Sequence, residues 1–246
     1  MNHINKFRGH TLVELLIASA LSLLILSYIW QVYSHNRASV RWQQALARLQ
    51  ENGRMAEHFL RQSVRMAGYA SCGGVIWNTD QTNAIRGYIA TDVPSELSPR
   101  ISSSADAVAI TNCRYMVQQW QNTTVYYFIA DTGRKNKQGR SVYALYEKLG
   151  TQGSEELVDN ITDMRIFYGV SDSNSVDIAA YLTADQVADW SQVRAVVINL
   201  LLNTEEEILP ASAQYWYLSQ YQQATDKRFY QPWQIYIMLR EREFTS

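Results

Sequence analysis

The side chains able to do chemistry are few and unevenly placed. The four histidines, His3, His10, His35 and His58, all precede residue 59. Their absence beyond that point removes a His-based triad, a Cys–His pair and a His-ligated zinc site from most of the chain. No Walker A or GxGxxG pattern occurs. The adjacent carboxylates Glu155 and Glu156, and the run Glu205 to Glu207, read as solvated acidic loops, because paired catalytic carboxylates need separation and burial. The stretch SDSNSVD gathers Asp172, Asn174 and Asp177, oxygen ligands of the kind calcium takes. It lacks the glycine and the distal glutamate of an EF-hand and reads as a polar turn. No metal, cofactor or enzymatic activity is expected. What remains is Glu14, a carboxylate at the start of a long apolar run. Near the centre of a membrane span such a charge costs about 2.5 kcal/mol or more, so Glu14 either sits at the interface or has a partner.

The element that must position Glu14 is a helix. Leu15 to Trp30 reads LLIASALSLLILSYIW, interrupted only by serines, which in a membrane helix bond their own backbone or a neighbouring helix. With its flanks the run reaches about 20 residues, enough to cross a hydrocarbon core of about 30 Å. Tyr28, Trp30 and Tyr33 stand at its far end, where an aromatic belt would lie. Lys6 and Arg8 precede it with no acid before Glu14, which keeps the N-terminus cytoplasmic and exports the remainder, leaving inner-membrane lipid as the first partner. A secretory signal peptide would be shorter and end in an A-x-A site; here the small residue, Gly9, comes before the run.

Charge divides the chain at the same region. Residues 1–66 carry net +5 and residues 67–246 net −6, hidden within an overall charge of −1. A nucleic-acid binder would place its basic surface on the folded domain, so no nucleic-acid partner is expected. The two cysteines, Cys72 and Cys113, both follow the apolar run. In an exported domain they pair as a disulfide or else remain two buried thiols.

Beyond the span, Trp42, Leu46, Leu49, Gly53, Ala56, Leu60, Val64 and Ala67 recur at steps of 4, 3, 4, 3, 4, 4 and 3, one face of an α-helix. No proline precedes Pro94 and Gly68 supplies a stop, so a single helix is expected over about residues 10–67. Gly53 either admits close packing or is simply tolerated there, at about 1 kcal/mol relative to Ala. Downstream the period turns toward two. DAVAITNCRYMV, TTVYYFIA, RSVYALYEKL, ITDMRIFYGV, QVRAVVINLLL and WQIYIMLRER are rich in Val, Ile, Tyr and Phe and separated by turn-forming stretches. Thr183 and Gln186 fit a capping box opening a short helix through about Trp190. The expected fold class is α+β, a long N-terminal helix packed on an antiparallel sheet. Tyr215, Trp216, Tyr217, Tyr221, Phe229, Tyr230 and Trp233 concentrate in one short region, read as a subunit-contact surface rather than a ligand site. A sugar-binding platform built from these and Trp77, Trp120 and Trp190 is the other reading.

RGHTLVELLIASALSLL resembles the class III signal of type IV pilins and pseudopilins: a short basic leader, a glycine, then a Thr-Leu-Val-Glu stretch opening a long helix. The resemblance implies prepilin peptidase cleavage after Gly9, with His10, where most members have Phe, as the new and N-methylated terminus. Glu14 then falls fifth in the mature chain, where the family's glutamate forms an assembly salt bridge with a neighbouring subunit's free amine. Such a pair suits both a nearby cation and a helix N-terminus, and breaking it in a low-dielectric environment costs about 3–5 kcal/mol. ALARLQENGRMAEHFLRQSVRMAGYASC, LVDNITDMRIFYGV and YLTADQVADWSQVRAVVINLLL resemble segments of the PilW-type minor pilins, whereas 75–155 matches weakly and 205–227 not at all. The implied organisation is leader 1–9, transmembrane segment 10–33, exported amphipathic helix 34–67 and a periplasmic or pilus head 68–246. The implied role is pilus assembly in a priming complex with other minor pilins and major pilin subunits, at the inner membrane and then in the pilus. A type II secretion pseudopilin and a membrane-anchored periplasmic adhesin are the alternatives.

Overall fold

The computed structural model describes residues 11–67, 71–72, 75–76, 84–94, 97–98, 100–116, 119–150, 152–172 and 177–239. The chain divides into two compact units, one ending at Gln44 and the other beginning at Ala45. A single helix, α1 (Leu12–Arg65), contributes to both.

In the first unit, among the described residues, α1 is exposed over most of its length. Residues 11–37 are exposed throughout, and an 18-residue window reaches a mean hydropathy of 2.3, long and apolar enough to cross a membrane. The serines inside this stretch are satisfied by the helix itself. Ser19, Ser22, Ser27 and Ser34 donate to the carbonyls of Leu16, Ala18, Leu24 and Gln31 at 2.8–2.9 Å. That leaves none of these four serine hydroxyls in search of water, as a lipid environment requires.

The second unit is a two-sheet head. A short hairpin, β1 (Ser71–Cys72) and β2 (Val75–Ile76), is followed by β3 (Ile85–Tyr88), β4 (Ala107–Met116), β5 (Gln119–Lys135), β6 (Ser141–Leu149) and β7 (Ser154–Asp159). Strands β3 to β7 form a five-stranded antiparallel meander in chain order. The second sheet joins β8 (Ile161–Ser171), β9 (Ile178–Leu182), β10 (Val193–Asn203) and a final strand. Before that strand, β11 (Gln214–Tyr217) and β12 (Gln220–Gln223) form a separate hairpin; β13 (Tyr230–Met238) then closes the order β13-β10-β8-β9.

One core serves helix and sheets together. Leu49, Ala56, Leu60 and Val64 of α1 pack with Val108, Ile110, Val125, Tyr127 and Leu145 of the meander and with Ile166, Val196, Ile198, Leu200, Ile235 and Ile237 of the second sheet. The helical face expected from the sequence is therefore the face that the head buries. The two sheets are also joined through Asp106. Its backbone N–H donates to Met164 O at 2.8 Å, and its carboxylate accepts from Ile166 N at 3.0 Å and Ala90 N at 3.1 Å. Burial raises its pKa, and these donors together with Arg165 only partly offset that effect.

Over their described residues, the apolar segments singled out from the sequence lie mainly in strands, and the fold is α+β as expected. The helix expected from Thr183 does not form. Gln186 does accept from Thr183 N at 3.3 Å, but residues 184–186 make only a turn, with Thr183 Oγ1 drawn instead to Asp185 Oδ1 at 2.6 Å. Helical geometry is confined to a 3-10 turn, Trp190–Gln192, capped by Asp189. The intervening residues are too few to repay helix nucleation.

Candidate interaction sites

Glu14 lies in the first turn of α1 and engages its own helix end. Its Oε2 accepts from Thr11 N at 2.9 Å and from Thr11 Oγ1 at 3.3 Å, while Glu14 N donates back to Thr11 Oγ1 at 3.3 Å. This is a reciprocal capping box, which satisfies orphan N–H groups at the helix start and places a negative charge in its first turn. The T-x-x-E spacing signals it, but the membrane argument drew attention to the charge alone. Gly9 and His10 lie outside the described residues. Cys72 and Cys113 have backbones in β1 and β4, and their side chains lie outside the described residues; β1 runs against β4.

From Ala45 onward the helix reaches the head through specific contacts. At Gly53 an added Cβ would sit 2.7 Å from the Trp233 ring, so the glycine is what lets β13 close on α1. Trp233 Nε1 donates to Glu57 Oε2 at 3.1 Å, Arg61 holds the other oxygen of Glu57 at 2.6 Å, and Arg61 Nη1 donates to Tyr236 O at 3.0 Å. The hydrogen bond from Arg61 is the main reason Glu57 titrates below its ordinary value; burial opposes it and the Trp233 donor adds to it. On the next turn Ser63 Oγ meets the buried Tyr127 hydroxyl at 2.6 Å, and Tyr127 in turn donates to Glu147 at 3.3 Å.

The aromatic region near the C-terminus, expected as one surface, is divided by the fold. Trp233 and Phe229 pack on the core, and Tyr217 is buried. Tyr215 and Tyr230 stack at 4.9 Å between centroids, with the Tyr230 hydroxyl among Asp226 and Arg228; burial first, then the charge of Asp226, pushes its pKa up to about 12 against the pull of Arg228. Only Trp216 and Tyr221 stay exposed, edge to face at 4.7 Å. With the outer face of the second sheet Trp216 borders a groove of about 570 Å³. Phe167 and Val197 form its floor, Tyr181 and Tyr236 one wall, and the β11–β12 hairpin the other. Tyr181 lies over Gly169, where an added Cβ would come within 3.1 Å of its ring, and its hydroxyl donates to that of Tyr236 at 3.2 Å. An amide pair, Gln234 Nε2 to Asn199 Oδ1 at 3.0 Å, supplies the polar part of the lining.

Of the two acidic segments expected as loops, one is a strand and the other is a loop: Glu155 and Glu156 lie in β7, where Glu156 pairs with Arg134, whereas Glu205 to Glu207 lie in the loop after β10. Glu205, Glu206 and Glu207 face Arg48, Lys137 and Arg140 at 4.0, 3.8 and 3.1 Å, as surface ion pairs. Asp172 and Asp177 are exposed, Asn174 lies outside the described residues, and no cluster of three or more His, Cys, Asp or Glu suited to a metal ion occurs among the described residues. Trp77 and the Trp120 side chain also lie outside them.

The family model of the type IV pilus-assembly protein W, PilW, matches residues 125–241. That stretch runs from within β5 to just beyond β13 and takes in residues 205–227, where the sequence alone showed no likeness. No curated protein and no solved structure matches the chain.

Proposed function

We propose that this chain is a minor pilin of PilW type that acts in type IV pilus assembly through subunit contacts rather than catalysis. The observation that carries this reading is the family match over the head, 125–241, in a chain whose N-terminus forms one exposed apolar helix opening on Glu14. The apolar stretch anchors the protein in the inner membrane with its N-terminus cytoplasmic and its head periplasmic, and later packs among other pilin helices. Prepilin peptidase removes residues 1–9, and the amine released at His10 of one subunit pairs with Glu14 of a neighbour. The partners are other minor pilins and the major pilin, met in a priming complex. Cys72 and Cys113 form a disulfide, a pairing supported by the placement of β1 against β4.

Mass spectrometry of the N-terminus from cells, joined to an incorporation assay, tests this. Wild-type chains should begin at His10, and Gly9→Ala should retain the leader. Glu14→Ala should insert in the membrane yet fall at least tenfold in sheared pilus fractions and in co-purification with other minor pilins. Unprocessed wild-type protein, or normal incorporation of Glu14→Ala, overturns the assembly mechanism.

A further inference from the structure

We propose that the groove on the outer face of the second sheet binds a neutral oligosaccharide, a role beyond subunit assembly. Among the described residues beyond Ala67, the exposed large apolar side chains are Tyr181, Trp216, Tyr221, Tyr236 and Met238. All five lie in β9, β13 or the β11–β12 hairpin, the elements that wall the groove. A concentration of this kind marks a binding surface rather than ordinary scatter.

Three properties select the ligand. Among the described residues the lining carries no Asp, Glu, Lys or Arg, in a chain with 22 basic and 23 acidic side chains, so these residues offer nothing to an ionic ligand. Its volume of about 570 Å³ is that of a small-molecule cleft rather than of a flat protein interface. It sets aromatic faces beside paired amides and hydroxyls. A pyranose ring presents the complement, a C–H face that stacks on an aromatic ring and an edge of hydroxyls that both donate and accept. The hairpin wall is also held in a costly shape. Leu218 and Ser219 both adopt positive φ, 51° and 62°, the two-residue turn usually made by Asn and Gly. A bulky residue held there costs stability, and such strain concentrates at binding sites.

The test uses the full chain in lipid nanodiscs, because alkyl glycoside detergents would themselves compete for the groove. An array of neutral, sialylated and sulfated oligosaccharides is probed, and hits are titrated by calorimetry. Binding is expected for neutral oligosaccharides. Affinity should fall at least tenfold in Trp216→Ala and in Gln234→Ala, both exposed positions at which the melting temperature should not move. Absence of neutral hits with folded protein, hits confined to anionic glycans, or undiminished binding in both variants overturns the proposal. So does loss of co-purifying pilus subunits in Trp216→Ala, which would make the groove a protein interface. Failure here leaves the assembly reading standing, since that reading fails on Glu14→Ala and predicts normal incorporation of Gln234→Ala.

Discussion

Two stretches of the same helix obey different rules. From Leu15 to Trp30, α1 is apolar on every side apart from three serines, whose hydroxyls bond within the helix. From Ala45 on it has one buried stripe, and its polar side chains bond to strands: Asn52 to Asp159, Glu57 to Trp233, Arg61 to Tyr236 and Ser63 to Tyr127. The first stretch asks only for an apolar surrounding and is indifferent to which side chain supplies it. The second is specific to this head. Stability of the head should therefore be sensitive to substitutions in the second stretch and blind to those in the first.

The largest effect should come from Leu60→Ala. Leu60 is fully buried, and truncation of a core leucine costs about 2–5 kcal/mol. Urea unfolding of the head should show a lowered midpoint, whereas Leu21→Ala should leave it unchanged; equal effects would erase the distinction between the stretches. Gly53→Ala should come next. Helix propensity alone favours the alanine by about 1 kcal/mol. The Trp233 ring 2.7 Å from the new Cβ reverses the sign, because overpacking of this kind costs about 1–3 kcal/mol. In a Trp233→Leu background the same substitution should become stabilising, a reversal that thermal melts would detect. Glu57→Gln should have the smallest effect, about 0.3–0.5 kcal/mol for its i,i+4 pair at neutral pH. Its pH signature is more telling. The folded pKa of Glu57 lies below its unfolded value, so its contribution is present above the unfolded pKa and lost as pH falls through the folded one. Urea midpoints taken between about pH 5 and 3 should fall less steeply for Glu57→Gln than for the wild type.

How much of this could be read from the sequence depended on whether neighbours in the chain carry the signal. The buried stripe of α1 was legible because its period is local and no proline interrupts it. The central strands were legible because both their faces are apolar or aromatic. Strand β7 was missed because only Val158 of its SEELVD is buried. Its glutamates look like a loop until Arg134, more than twenty residues away, is brought beside Glu156. The β11–β12 hairpin was hidden by its turn, Leu218-Ser219, which carries no Gly, Asn or Pro. The groove was illegible for a related reason. It joins residues from five strands and a turn, and the nearby aromatics Trp233 and Trp216, alike in sequence, face opposite environments. Gly53 left two readings open until Trp233 was placed against it.

The capping box at Thr11 and Glu14 bears on release as much as on assembly. A subunit whose carboxylate had no intramolecular partner would be trapped once paired, since separation would strand a charge in an apolar medium. Here the carboxylate already has bonds at its own helix end. In the assembly proposed above, joining and leaving a neighbour are then exchanges of one hydrogen-bonding partner for another. The free-energy step is then the difference between two bonded states rather than the full cost of stranding a charge.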